Sequence, residues 1–141
     1  MKMRLLGKDR DLKHIFMTAT VPAVTEFNGE YLVDMLTVWP SFKRFSHRKI
    51  FYRKGSRVAG HNVILNKSWG HFIVEQTLCK NIHSAGAALI NYNLKENSLL
   101  VRGIRDHVRC IIKDDLYIGR FNHMFCGRLC FLGYFSLEKI K

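Results

Sequence analysis

The most polar extended stretch of the chain is Ile104-Arg105-Asp106-His107-Val108-Arg109-Cys110. Alternate side chains of a strand share a face, so Asp106 lies with the apolar positions and its basic neighbours lie opposite. If the Asp106 face points into a core, the carboxylate needs a cation, because an unpaired buried charge is costly. Arg120, on the next predicted strand, is the candidate partner. If the basic face points inward, the interior suits an acidic ligand. An interpretation that we weigh equally with ligand binding is that these charges form an ion pair that only stabilises the barrel.

Seven histidines and four cysteines could bind a metal ion or a haem, but their spacing forms no recognised site. No histidines are spaced H-x-H or H-E-x-x-H, and Cys126-x3-Cys130 lacks the second pair that a four-ligand zinc site needs. Haem binding by a single interior histidine is a minor alternative. We therefore predict no metal-binding residues, no catalytic residues and no cofactor, and we expect the cysteines to be reduced thiols.

A basic and aromatic segment covers residues 42–72. It contains no acidic residue, and its lysines and arginines are interleaved with phenylalanine, tyrosine and tryptophan. Single-stranded nucleic-acid platforms combine cations that follow phosphates with rings that stack on bases. However, aromatic residues that alternate along strands also build cores, and no known RNA-binding motif is present. Nucleic-acid binding is therefore the second hypothesis.

An enzyme is the third hypothesis. A tyrosine, an arginine and a carboxylate in a closed apolar pocket could move a proton on a small apolar acid or phenol, because burial shifts pKa values. The sequence offers these types at Glu30, Tyr31, Asp106, Arg120 and Tyr134. No nucleophile elbow or phosphate loop occurs. The question of activity stays open, and the sequence favours a binding protein.

Short β-rich runs separated by turn residues dominate the chain after Pro22, and these elements must position the polar groups. The apolar spacing predicts one helix over residues 11–19, which we expect to cross one end of a barrel. The alternation and turn chemistry predict eight strands, over residues 29–37, 42–53, 57–66, 71–77, 87–93, 98–112, 116–121 and 128–138. About eight antiparallel strands joined by short turns close into a barrel that has room for a small ligand.

Composition agrees with a globular barrel. The chain has 141 residues, 48% of them hydrophobic, and a formal net charge of +12. We predict a single domain over 1–141, with a helical lead-in over 1–24 and the barrel over 25–141. No apolar run is long enough for a membrane span. Charged residues interrupt the N-terminal stretch before an apolar signal core can form, so we expect a cytoplasmic protein.

Four segments carry a resemblance to bacterial lipocalin-like domains of uncharacterised function, which are calycin-type barrels. They are Phe27-Asn28-Gly29-Glu30-Tyr31, Arg105-Asp106-His107-Val108-Arg109, Asp115-Leu116-Tyr117-Ile118-Gly119-Arg120 and Phe131-Leu132-Gly133-Tyr134-Phe135-Ser136-Leu137. True lipocalins carry Gly-x-Trp where this chain has Gly29-Glu30-Tyr31. The resemblance covers most of the chain after Pro22 and implies a central cavity for a small, largely apolar molecule.

We therefore expect an all-β, antiparallel meander closed into a lipocalin-like barrel with a short N-terminal helix. Its expected partner is a small hydrophobic molecule, which could carry an acidic or hydroxylated head, and nucleic acid is less favoured. Alternation alone leaves the inward face and the oligomeric state open. The candidate ligand-binding residues are His47, His61, Tyr92, Arg105, Asp106, His107, Arg120 and Tyr134. The candidate walls are Leu36, Phe45, Phe51, Val63, Leu65, Phe72, Ile90, Val108, Phe121, Leu132 and Phe135.

Overall fold

The computed structural model is a closed antiparallel barrel of eight strands, each paired with its neighbours in sequence and the last with the first. It describes residues 9–37, 47–78 and 86–141. The strands are β1 (Gly29–Met35), β2 (His47–Lys54), β3 (Arg57–Ile64), β4 (Lys67–Leu78), β5 (Gly86–Asn91), β6 (Ile104–Ile112), β7 (Leu116–Phe125) and β8 (Arg128–Lys139). The helices are α1 (Asp9–Thr18), a 3₁₀ turn (Val24–Glu26) and α2 (Leu99–Arg102). The predicted barrel class is confirmed.

Helix α1 packs on the outer wall of the barrel, not across an end as we expected from the sequence. Its buried residues Leu12 and Phe16 are one turn apart, and they pack against Ile118 and Tyr134 on the outer faces of β7 and β8. Arg109 of β6 donates from Nη1 to the carbonyl oxygens of Phe16, at 2.9 Å, and Met17, at 3.1 Å. These bonds satisfy carbonyls near the helix C-terminus, where a cation is also favoured by the helix dipole.

An aromatic cluster closes one end of the barrel. Phe27, which follows the 3₁₀ turn, is 1% exposed and contacts the rings of Tyr31, Phe51 and Tyr117 at centroid distances of 5.2–6.4 Å. We call this the closed end. The opposite end is formed where β1 finishes and β6 begins, at Met35 and Ile104, and we call it the cavity end.

The segment before β6 is a short helix, which corrects the strand predicted over 98–112. Ser98 accepts a hydrogen bond from the amide of Val101, as a helix N-cap does. Leu99 and Leu100 are exposed, and the strand starts only at Ile104. The apolar pair Leu99-Leu100 therefore made the predicted strand too long, although neither side chain enters the core.

Candidate functional site

Four polar side chains from different elements meet inside the barrel. They are Lys49 of β2, Asn62 of β3, Tyr92 just after β5, and Asp106 of β6. Each is at most 3% exposed. In an eight-stranded barrel β2 and β6 lie on opposite walls, so Lys49 and Asp106 reach toward one another across the interior. We call these four residues the polar cluster.

The lysine ammonium is the centre of the polar cluster. Nζ of Lys49 donates to Oδ1 of Asn62 at 2.7 Å and to the hydroxyl of Tyr92 at 2.5 Å. It lies 3.6 Å from Oδ2 of Asp106, which is an ion-pair distance longer than a hydrogen bond. The charge also lies 5.2–5.7 Å from the ring centroids of Phe72, Tyr92 and Phe135. Aromatic faces attract a cation at this range.

A β-bulge and a buried amide position the tyrosine and the asparagine. Gly70 is the extra residue of the bulge in β4, with a φ of +60°. A Cβ at Gly70 would lie 2.9 Å from Nδ2 of Asn62, so glycine allows the close approach. Nδ2 of Asn97 donates to the carbonyls of Tyr92 at 2.6 Å and His71 at 2.7 Å. These contacts hold the start of β4 and the end of β5 around the polar cluster.

Burial sets the protonation behaviour of the polar cluster. It lowers the pKa of Lys49, although the Asp106 carboxylate opposes the change. It raises the pKa of Asp106 to about 6, against the opposing Lys49 charge. It also raises the pKa of Tyr92 well above its ordinary value. Burial together with the charge of Lys49 lowers the pKa of His47 to about 3, so this imidazole is neutral at pH 7.

A cavity of about 50 Å³ adjoins the polar cluster on the side of the cavity end. This volume has room for about three or four small polar or apolar atoms, since one water needs ~10–15 Å³ by the same measure. Two buried polar atoms of its lining have no hydrogen-bond partner in the described structure, Oδ1 of Asp106 and Nε1 of Trp69. The lining residues are Val33, Met35, Lys49, Trp69, Tyr92, Ile104, Asp106, Phe121 and Phe135.

The structure brings together three of the eight predicted ligand-binding residues. Tyr92 and Asp106 line the cavity. His47 adjoins the polar cluster, because its Nε2 is 2.8 Å from Oδ1 of Asn62. The strand register places the other five on the outer face of the barrel. They are His61, Arg105, His107, Arg120 and Tyr134.

Arg120 is not the partner of Asp106. It pairs in register with His107, on the outer face, and its guanidinium lies 4.4 Å from the ring centroid of Phe131. Asp106 lies opposite Phe121, one residue further along β7, and therefore faces inward. The cation for Asp106 is Lys49, which we did not select from the sequence. The available signal was its place on the same strand face as His47 and Phe51.

The predicted wall residues are also divided between the interior and the outside of the barrel. Phe51, Phe72, Ile90, Val108 and Phe135 are buried in the interior cluster, with Phe121 packed against it. Leu65 and Leu132 are exposed, so they are not wall residues. Val63 pairs with the outward-facing Arg48, and Leu36 packs against the outer cluster that contains helix α1. Phe45 lies outside the described residues.

The residues proposed for enzyme chemistry and for nucleic-acid stacking are not assembled into one site. Glu30 forms an ion pair with Arg48 on the outer face, while Tyr31 lies at the closed end. Of the described aromatic residues of segment 42–72, two are buried inside the barrel and only Tyr52 is classed as exposed. Residues 42–46 lie outside the described residues.

No metal centre is found in the described part of the chain, because no three His, Cys, Asp or Glu side chains converge there. Cys110, Cys126 and Cys130 are free thiols. Among the described helices, none has the length and apolarity needed to cross a membrane.

Comparison with known proteins identifies the fold. No family model matches the chain, and no curated protein matches it. A solved structure of a protein from Thermomonospora curvata is similar, with a TM-score of 0.68 and 14% sequence identity. The match covers 96% of this chain and 90% of that chain. Similarity at this identity supports the barrel architecture.

Proposed function

We propose that the protein binds a small hydrophobic molecule inside its barrel, in the manner of a lipocalin, with the polar head of the ligand beside Lys49, Tyr92 and Asp106. The observation that carries the proposal is the cavity of about 50 Å³ with an unsatisfied acceptor, Oδ1 of Asp106, and an unsatisfied donor, Nε1 of Trp69. A buried polar atom without a partner is costly, and a ligand that bonds both atoms would remove that cost.

The charges of the cavity favour a head that is neutral. Lys49 and Asp106 already balance one another, so an anionic head would add an uncompensated buried charge. A hydroxyl donates one hydrogen bond and accepts others, and it could therefore donate to Asp106 and accept from Trp69. Because about 50 Å³ holds only the head and the first carbons of the ligand, the rest of its apolar tail would extend past Met35, Ile104 and Phe121 and out through the cavity end.

The basic surface gives weaker support to nucleic-acid binding. Phe51 and Phe72 of the basic and aromatic segment are turned into the barrel, where they cannot stack on bases. The described structure therefore favours the cavity as the binding site.

A titration with 1-octanol tests this proposal. In a Trp39→Phe background, Trp69 gives the only indole signal in a proton–nitrogen NMR spectrum, since the chain has two tryptophans. We expect a saturable shift of that signal with one octanol per chain. Removing a polar group beside the head, with Tyr92→Phe or Asp106→Asn, should weaken binding by about tenfold, or ~1.4 kcal/mol.

The matched control is Tyr52→Phe, which removes an exposed tyrosine hydroxyl from β2 and should leave the affinity unchanged. The absence of any saturable shift, or equal effects of Tyr92→Phe and Tyr52→Phe, would contradict the proposed site.

A further inference from the structure

Lys49 has the environment of a reactive amine. It is fully enclosed, and burial lowers its pKa, which increases the fraction of uncharged amine. Two short hydrogen bonds, to Asn62 and Tyr92, hold the nitrogen in place. The third bonding direction of Nζ makes no hydrogen bond to Asp106, because that carboxylate lies at 3.6 Å, beyond hydrogen-bond range. In the uncharged amine this direction is available to the lone pair.

The cavity brings a substrate to that nitrogen. Lys49 and Asp106 both line it, and most of its other lining side chains are apolar. Oδ1 of Asp106 is buried without a hydrogen-bond partner, so it can accept a proton or a hydroxyl group. A lysine desolvated beside an acid–base group is the arrangement by which proteins form Schiff bases with carbonyl compounds.

From this geometry we infer that Lys49 binds small apolar aldehydes covalently, as a Schiff base, with Asp106 as the proton carrier. The inference rests on the proposed function, and it assigns that same cavity a carbonyl ligand. Asp106 and the rings of Phe72, Tyr92 and Phe135 surround Nζ of Lys49, and they would also stabilise the cation of a protonated imine.

The reaction balances without an oxidant or a reductant. The Lys49 lone pair forms a bond to the carbonyl carbon, and the carbonyl electron pair moves to oxygen. Asp106 holds the proton that the Lys49 ammonium gives up to become an uncharged amine, and it protonates that oxygen; its carboxylate then takes a proton from the nitrogen, which produces a carbinolamine. The nitrogen electrons then form the C=N bond while the C–O bond breaks. Asp106 returns its proton to the departing hydroxyl, so one water leaves and one protonated imine remains beside the Asp106 carboxylate.

Reductive trapping of octanal on the wild-type protein tests the inference. Octanal and sodium cyanoborohydride at pH 7 should convert the imine to a stable amine, which adds one octyl group to the chain. Peptide mapping by mass spectrometry should locate that group on Lys49. We expect trapping at Lys49 to be at least about tenfold faster than at any other lysine. Asp106→Asn should slow it by at least about tenfold, as expected for loss of acid–base catalysis.

The control variants are Lys49→Arg, which keeps a cation but forms no stable imine, and Lys54→Arg, which removes an exposed lysine of the same strand. Lys54→Arg should trap octanal as the wild type does, and Lys49→Arg should lose the single adduct. Adducts spread over exposed lysines, with octanol still bound inside, would overturn the inference and leave the proposed function standing. Failure of both octanol and octanal to bind would overturn both.

Discussion

At the scale of single residues, the Lys49–Asp106 pair is the most consequential contact of the barrel. Both side chains are buried, so removing one leaves the other without its counter-charge. We expect Lys49→Met and Asp106→Asn each to cost about 3–5 kcal/mol of unfolding free energy, and the double variant to cost clearly less than the sum. Urea unfolding of the four proteins measures this coupling.

These four proteins form a double-mutant cycle. Its matched control is the outer ion pair of Glu30 and Arg48, which is partly exposed. A cycle of Glu30→Gln and Arg48→Met should give a coupling of about 1 kcal/mol or less, because solvent screens an exposed pair. If the interior pair gave a coupling as small as this one, the two buried charges would not depend on each other.

The sequence identified Asp106 as a buried-carboxylate candidate but not its partner. A shift of one residue in register exchanges the faces of a strand, and this explains why Arg120 lies outside while Phe121 lies inside. Lys49 is 57 residues earlier in the chain, since 106 − 49 is 57. Only closure of the barrel places its strand opposite β6, and no local pattern encodes that distance.

At the scale of elements, the eight strands could be predicted because each combines β-rich runs with a recognisable turn. For example, the third strand was expected over residues 57–66 and is found at Arg57–Ile64. Packing of the helix was not predictable in the same way, because its apolar stripe fits an end or a wall equally well. The decisive feature is the guanidinium of Arg109, which bonds the carbonyls of Phe16 and Met17 on the outer wall.

The β6–β7 pair also makes stability sensitive to pH. Burial, with the nearby charge of Arg120, lowers the pKa of His107 to about 4, and Nδ2 of Asn122 lies 3.0 Å from its Nδ1. The unfolded chain therefore binds more protons than the folded one between pH 6.5 and 4, and stability falls as the pH is lowered. His47 acts in the same direction, while the raised pKa of Asp106 opposes them between about pH 6 and 4.

His107→Asn should therefore make the loss of stability on acidification shallower, by at most about 3 kcal/mol between pH 6.5 and 4. Asparagine keeps an acceptor near the position of Nδ1, and it does not titrate. Chemical unfolding at several pH values measures the slope, with the exposed His14→Asn as control. An unchanged slope in His107→Asn would show that this histidine does not contribute to the acid sensitivity.

At the scale of the whole molecule, the barrel separates two surfaces with different roles. Helix α1 packs on the outer wall, and most of the described lysines and arginines are at least partly exposed, whereas the inner surface holds a balanced ion pair beside a small cavity. Net charge therefore describes the exterior and is a poor guide to the ligand. The sequence predicted the barrel class, and the choice among its candidate site residues required the register of the closed sheet.

The most direct test of the central claim is native mass spectrometry of the protein purified from its own cells, followed by extraction of whatever is bound. The account predicts one small apolar molecule per chain with a hydroxyl or carbonyl head, released on denaturation and recovered at lower occupancy from Tyr92→Phe. Binding through an apolar cavity should also withstand added salt. A protein without such a molecule, carrying nucleic acid that salt removes, would contradict the account.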